Sequence, residues 1–198
     1  LPSGGGTLAP LASPVFTGTV TADNLQVSGT GVSDLQRSHS TTTASLAVLD
    51  IKAKSTGDMA AGFGSAARFI IEDTANVENV VAEIAARRES SDSTASLTFT
   101  TSATERMRID SSGNVGIGVT PEAWQSSYDV LQISSGASIA GSTTNKSRLF
   151  LNANTYINTS NQQSYIATDE ASQYWQNGGT HIFNVAPSGS ADAAISWN

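Results

Sequence analysis

Side chains that could perform chemistry are few in this 198-residue chain, and most of them stand alone. The two histidines, His39 and His181, are far apart, with no second histidine at ligand spacing, and the chain has no cysteine. Because a protein metal site needs several ligands close together, we expect no metal site. Thiolate chemistry and disulfides are excluded with the cysteines. No cofactor-binding motif is found either, so we expect no cofactor.

Carboxylates are the next candidates, because glycoside hydrolysis uses two of them flanking one bond. The adjacent pairs are Glu72-Asp73 and Asp169-Glu170. Neighbours on a strand point to opposite faces, so neither pair can act alone. A capsule or O-antigen depolymerase would need Asp169 or Glu170 to face Glu72 or Asp73 of a neighbouring chain. We keep this enzyme as an alternative and predict a non-enzymatic protein.

The stretch "ERMRIDSSGNVGIGVTP", residues 105–121, carries the glycines of a candidate phosphate loop. A Walker loop needs a Lys-Ser/Thr pair, and a dinucleotide loop has the order G-x-G-x-x-G before a helix. Here Gly113, Gly116 and Gly118 have the order G-x-x-G-x-G, and Pro121 follows. The flanks alternate apolar and polar residues, which predicts a β-hairpin. We expect its glycines to admit another backbone at close approach.

Aromatic side chains among amides and hydroxyls form the remaining candidate site. Flat rings beside polar groups suit sugars, whose C–H faces stack on rings while their hydroxyls form hydrogen bonds. The same rings would also serve as strand core in a chain with 7% aromatic residues. Both interpretations stay open. The candidate receptor- or glycan-binding residues are Tyr165, Tyr174, Trp175, His181 and Trp197.

Composition limits the elements that position these residues. The chain is 38% hydrophobic and 14% charged, and glycine is frequent, which indicates extended β structure with many turns. A net charge of −7 argues against nucleic acid, because phosphate-binding surfaces are basic. No apolar run approaches the roughly 20 residues of a membrane helix, so we expect no membrane insertion.

An internal repeat organises the chain. "SLAVLDIKAKS" (45–55) aligns with "SYDVLQISSGA" (127–137), and residues 65–73 align with 145–153. We predict a fibrous stalk at 1–38, a first β module at 39–120 that ends in the glycine hairpin, and a second, related, distal module at 121–198. The second module stops before a glycine hairpin of its own, so we expect a chain that is unfinished at Asn198.

Residues 76–89, "NVENVVAEIAARRE", fit two secondary structures. Val77, Val80, Val81 and Ile84 have the spacing of an amphipathic helix. Val80 and Ile84 also belong to an alternating run that would form a strand. Periodicity alone leaves helix and strand open.

Three stretches resemble the distal part of tailed-bacteriophage tail fibres. Residues 105–121 are similar to a fibre repeat, R-M-R-I-D-x-x-G-N-V-G-I-G-x-x-x-P. "LASPVFTGTVTA" (11–22) resembles the stalk repeats, and "YWQNGGTHIFNVAPSGSADAAISW" (174–197) resembles fibre text before another hairpin. The resemblance favours a strand at 76–89. Many such fibres end in an intramolecular chaperone, which this sequence lacks, so we expect a matured product or a trimmed fragment.

The resemblance implies an all-β, elongated and intertwined parallel homotrimer of short strands and hairpins, with a stalk followed by β modules. Its place would be the virion tail fibre, and its partners would be its own copies and a bacterial surface polysaccharide or outer-membrane protein. We therefore expect a host-attachment protein. Trimerisation would supply the core that one chain lacks, and the glycine hairpin of residues 105–121 would pack at the three-chain interface. A purely structural shaft segment is the second alternative.

Overall fold

A computed structural model describes residues 49–75 and 77–198, and every regular element in them is a β-strand. The predicted stalk and the start of the first predicted module fall outside these residues. Residues 51–198 form one compact unit. Its strands are β1 (Gly64–Glu72), β2 (Glu78–Arg88), β3 (Ala95–Thr101), β4 (Thr104–Ile109), β5 (Val115–Ile117), β6 (Tyr128–Ile133), β7 (Ala137–Ser142), β8 (Leu149–Ala153), β9 (Thr155–Ile157), β10 (Gln163–Tyr165), β11 (Asp169–Asn177) and β12 (Thr180–Gly189).

Ten of the strands form one sheet in the order β1-β2-β3-β4-β5-β6-β7-β8-β11-β12, and β9 and β10 form a separate hairpin. All neighbours in the large sheet are antiparallel except β5 and β6, which are parallel. Parallel neighbours need a crossover connection, and residues 118–127 provide it. The predicted module boundary at 120/121 falls in this crossover, and the sheet continues through both predicted modules. The division into modules stays a prediction.

The all-β class is confirmed for the described residues, and the ambiguous segment 76–89 contains strand β2. The centre of β2 pairs on both sides. Glu83 lies opposite Arg68 of β1, and Ile84 lies opposite Phe99 of β3. Residues 82–87 of β2 pair on both sides, and residues 78–80 pair with β1 alone. β-branched Val and Ile also pack well on a pleated surface. The spacing that resembles a helix arises because Val80 and Val81 are adjacent apolar residues within an alternating strand.

The glycine stretch forms an antiparallel hairpin of β4 and β5, with Met107 opposite Ile117. Its turn is built around Asp110, whose Oδ1 accepts hydrogen bonds from the backbone N–H of Ser112 and of Asn114, both at 2.9 Å. Asp and Asn favour such local bonds in turns. Gly113 has φ 88°, a conformation that costs glycine little.

Gly116 shows why this hairpin needs a residue without a side chain. A Cβ here would collide with the carbonyl oxygen of Val119 and lie 2.9 Å from Cδ of Pro121. The start of the crossover therefore folds back over β5. At Gly116 the expected close approach is made by the same chain, and the three-chain interface for this hairpin stays a prediction.

The two faces of the large sheet differ in chemistry. One face, the amide face, carries a row that runs from β3 to β12: Thr98, Arg108, Gly116, Gln132, Ser138, Asn152, Gln173 and Asn184. Buried hydrogen bonds join part of this row, from Asn152 Nδ2 to Ser138 Oγ at 3.0 Å and from Gln173 Nε2 to Asn152 Oδ1 at 2.9 Å. A one-residue slip of any strand would break these bonds, so the row specifies register.

The opposite face, the apolar face, carries two parallel rows across all ten strands, and neither row contains a charged residue. The first row is Ala67, Ile84, Phe99, Met107, Ile117, Ile133, Ala137, Ala153, Ser172 and Val185. The second row is Ser65, Ala86, Leu97, Ile109, Val115, Leu131, Ile139, Leu151, Tyr174 and Phe183.

The hydrophobic core lies on the amide face of the second half of the large sheet, which comprises β6, β7, β8, β11 and β12. Phe150 on β8 is 2% exposed, meets Tyr128 edge-on at 5.7 Å between ring centres and stacks on Trp175 at 5.3 Å. Trp124 from the crossover and Tyr156 from β9 close the cluster, with their ring centres 5.9 Å apart. The crossover and the β9–β10 hairpin thus act as the second layer over the sheet.

Candidate functional site

The structure separates the five predicted binding residues: the large sheet carries Tyr174, Trp175 and His181, the β9–β10 hairpin carries Tyr165, and Trp197 follows the last strand. Tyr174 and Trp175 are neighbours on β11 and therefore point to opposite sides. Tyr174 lies on the apolar face together with His181, whereas Trp175 lies on the amide face, opposite Ile182. The five residues therefore do not form one site.

The cluster on the apolar face consists of Tyr174, His181, Gln176 and Phe183. The Tyr174 hydroxyl and His181 Nδ1 share a hydrogen bond, and Gln176 Nε2 donates to the same hydroxyl at 2.9 Å. The Phe183 ring centre lies 4.8 Å from that of Tyr174, and 78% of Phe183 is exposed. Sequence reasoning did not include Phe183 in the site, although its alternation with His181 would have placed both on one face.

A small cleft of about 200 Å³ opens beside Trp175 on the amide face. The guanidinium carbon of Arg148 lies 5.9 Å from the Trp175 ring centre, within the range of a cation–π interaction. Arg148 Nη1 also donates to the Tyr128 hydroxyl at 3.3 Å. Asn161 and Gln163 complete the polar lining. The cleft therefore offers aromatic rings, one cation and two amides to a small polar ligand, in a volume below the roughly 300 Å³ at which small-molecule pockets usually begin.

Tyr165 and Trp197 are packed into a second, smaller core cluster with Ala171 and Ala186. Tyr165 is 4% exposed and its hydroxyl donates to the carbonyl oxygen of Pro187 at 2.6 Å. Trp197 Nε1 donates to Oε1 of Gln163, which also lines the cleft beside Trp175. Tyr165 and Trp197 thus lie in core-like surroundings, and a contact of either ring with a receptor stays a prediction.

Two carboxylates that sequence reasoning missed lie near the ring of Tyr156. The Tyr156 hydroxyl donates to Asp192 Oδ1 at 2.9 Å, and burial, this hydrogen bond and nearby negative charge raise the pKa of Tyr156 to about 12. Burial and the charge of Asp192 raise the pKa of Glu122 as well. Glu122 and Asp192 are 70 positions apart in the chain, so no local pattern could have paired them.

The carboxylate pairs singled out for catalysis are far apart within one chain. Glu72 ends β1 and Asp169 begins β11, and seven strands lie between β1 and β11 in the sheet. Asp73 Oδ1 accepts from the backbone N–H of Ala75 at 2.8 Å and of Val77 at 3.1 Å, so it stabilises a turn. Hydrogen bonds to the side chain and backbone of Glu170 hold the pKa of Asp169 below its usual value. A groove between chains stays a prediction.

Among the described residues, no group of three or more histidine, aspartate or glutamate side chains could hold a metal ion. No helix long and apolar enough to cross a membrane occurs in the same part of the chain. Comparisons with protein-family models, curated proteins and solved structures find no match. Function must therefore be argued from the residues themselves.

Proposed function

We propose that this chain is part of a phage tail fibre that attaches the virion to its bacterial host as a homotrimer, without enzymatic activity. The observation that carries the proposal is the apolar face. Its large side chains Ile84, Leu97, Ile117, Ile133, Ile139 and Leu151 each expose between 38% and 43% of their surface, and Phe183 and Val185 expose more.

A patch of this extent is unusual for a monomer. Ten strands at the usual spacing of about 4.8 Å make the two uncharged rows roughly 43 Å long. Monomeric soluble proteins rarely expose contiguous apolar patches beyond a few hundred Å², and larger ones mark interaction sites. The rows offer no charged group with which a charged partner could pair. A second and third copy of the same face fit best, because they present an equally long and equally uncharged surface.

The fibre assignment adds the number of copies and the biological role. It rests on the resemblance of residues 105–121 to a repeat of trimeric fibres. In a trimer whose apolar faces point to the common axis, the three amide faces would point outwards. Each would present the cleft beside Trp175 to a surface polysaccharide or an outer-membrane protein. Three weak sites on one fibre then bind more firmly than one site, since the second and third contacts are intramolecular.

Two measurements test this proposal. Light scattering on the purified protein should give three times the chain mass of 20.4 kDa. Fluorescently labelled trimer should adsorb to some strains in a panel of bacteria and compete with phage for them. A monomer at micromolar concentration would contradict the assembly. A verified trimer that adsorbs to no strain would favour the structural shaft, and release of oligosaccharide from purified host polysaccharide would favour the depolymerase.

A further inference from the structure

Glu83 on β2 is the most deeply buried charged residue among those described, with 10% of its side chain exposed. Two arginines hold it. Arg68, on the edge strand β1, donates from Nε to Oε2 at 3.0 Å, and Arg87, four residues further along β2 on the same face, donates from Nη2 to Oε1. The Glu83 carboxylate thus holds both arginines in place on the amide face.

Glu83 accepts hydrogen bonds from only a few of the N–H groups that Arg68 and Arg87 carry. A guanidinium has five N–H groups, and each arginine commits one nitrogen to Glu83. The Arg68 side chain is 61% exposed and that of Arg87 is 41% exposed, so both side chains are accessible to a ligand from solvent. Two guanidinium charges and one carboxylate leave the group with a net charge of +1.

A cavity of about 370 Å³ adjoins these donors. Its lining includes Thr100 of β3, which lies directly opposite Glu83. Val81 and Ala103 also line the cavity. Cavities of roughly 300 Å³ and more accommodate small ligands. Apolar Val81 and Ala103 suit the C–H face of a sugar ring, Thr100 offers a hydroxyl, and the arginine donors lie at one side.

The neighbouring charges do not cancel this positive group. Glu105, next to Thr100 in the same row, is held by Arg108 through two hydrogen bonds, at 2.6 and 3.0 Å. That pair is neutral as a unit. The +1 group is thus a local exception on a chain whose net charge is −7. A purely structural ion network would also tie β1 to β2, but it would not require an adjoining cavity.

We propose that Arg68 and Arg87 bind the carboxylate of an acidic sugar, such as a uronic acid residue, whose ring occupies the adjoining cavity. A monoanion matches the net charge of the group, and planar guanidinium forks match a carboxylate. The anion site rests on the geometry alone. Its assignment to a host polysaccharide rests on the proposed attachment function.

The test is titration of the intact protein with α-1,4-linked tetragalacturonate, followed by calorimetry and by the Nε–H NMR signals of the arginines. Maltotetraose, of the same length but neutral, is the ligand control. Arg68→Gln and Arg87→Gln should each weaken binding by about tenfold or more, because each removes hydrogen bonds to a charged group. Arg106→Gln is the matched control, since Arg106 is exposed on the same sheet and donates only to Thr101, at 3.1 Å.

Arg68→Lys separates a binding defect from a folding defect. Lysine keeps the charge beside Glu83 but lacks the planar fork, so the thermal transition should be retained while binding weakens. Binding of tetragalacturonate that is lost in the Arg68 and Arg87 variants, and kept in Arg106→Gln, would support the site. No binding by the wild type, equal binding of maltotetraose, or an equal loss in Arg106→Gln would overturn it.

The same variants distinguish this site from the proposed function. If the wild type adsorbs to bacteria and Arg68→Gln adsorbs equally well, the attachment function stands and the acidic-sugar site is overturned as its receptor site. If tetragalacturonate binds as expected but no strain is adsorbed, the anion site stands and the attachment function fails.

Discussion

The two halves of the large sheet, β1–β5 and β6–β8 with β11–β12, bury hydrophobic side chains to very different extents. In β6–β12 and the preceding crossover, seven buried hydrophobic residues form a core cluster that includes Trp124, Phe150 and Tyr156. In β1–β5 the only buried hydrophobic residue is Ala85. The second half carries its own second layer, made of the crossover and the β9–β10 hairpin, whereas the first half is a single sheet with an ion network on its amide face.

This difference separates what one chain can stabilise from what it leaves to a partner. A sheet needs its hydrophobic face covered by another layer. The second half meets this need on the amide face and still exposes Leu151 and Phe183 on the other. The first half meets it on neither face, so its stability depends more on the proposed trimer.

Leu97→Asp should have the largest effect. It places a charge in the middle of the apolar face of the first half, where the proposed interface would bury it without a partner. Removing one partner of a buried ion pair, which likewise leaves a charge buried without a partner, typically costs about 3–5 kcal/mol, and a cost of that size would dissociate a trimer at micromolar concentration. Light scattering should then give a monomer. Asn79→Asp adds the same charge at an exposed position of β2 and should leave the mass unchanged; an unchanged mass for Leu97→Asp would refute the interface.

Phe150→Ala should destabilise the second half by about 3–5 kcal/mol, the usual cost of truncating a buried phenylalanine. The reason is the loss of its contacts with Tyr128 and Trp175. Urea unfolding followed by tryptophan fluorescence would measure it. Phe183→Ala makes the same change at a side chain that is 78% exposed. In a monomer it should cost little, so a large cost in the wild-type assembly would locate Phe183 at an interface.

Alkaline pH probes the second layer in particular. The pKa of Tyr156 is raised from an ordinary value of 10.0 to about 12, so the folded state holds the phenolic proton more tightly than the unfolded state does. The stability that this contributes is complete below pH 10 and is lost as the pH rises towards 12. Urea midpoints at pH 9, 10 and 11 should fall more steeply for the wild type than for Tyr156→Phe. Parallel slopes would mean that Tyr156 does not hold its proton in this way.

Local patterns in the sequence predict local parts of this fold. The alternation on both sides of Gly113 predicts the β4–β5 hairpin, because hairpin pairing is set by neighbours in the chain. The parallel β5–β6 pair has no such signal, since its crossover contains no helix and reads as a loop. Gln132 and Asn152 would be assigned to the surface by polarity, but both are buried: Gln132 accepts a hydrogen bond from Trp124 of the crossover, and Asn152 donates one to Ser138 on β7.

The candidate site was harder to predict for the same reason. Sequence could identify Tyr174 and Trp175 as aromatic neighbours among amides, and alternation already places them on opposite faces. It could not show that Trp175 stacks on Phe150, 25 positions earlier, or that Arg68 and Arg87 meet on Glu83. The contact of Trp175 with Phe150 depends on the pairing of β8 with β11, which are not consecutive strands. The contacts of Arg68 and Arg87 with Glu83 depend on side-chain conformations that the residue types alone do not specify.

The smallest expected effect concerns the turns that close one hairpin in each half. The β3–β4 turn uses Ser102 and Ala103, with φ of 48° and 59°, whereas the β11–β12 turn uses Gly178 and Gly179, with φ of 58° and 83°. Turns with two positive φ values favour Asn-Gly or Gly-Gly, because other residues are strained there by about 1–2 kcal/mol each. Ala103→Gly should therefore stabilise the first half, by about 1 kcal/mol after the entropy cost of glycine.

The reciprocal variant Gly179→Ala should destabilise the second half by a similar amount. Urea midpoints of both variants would measure the pair. Because Ala103 contributes a methyl group to the apolar wall of the cavity beside Arg68, Ala103→Gly should also weaken the binding of tetragalacturonate slightly. A stabilised variant with weaker binding would show that the first half gives up stability at this turn for its ligand, and unchanged binding would show that the sugar ring does not lie against Ala103.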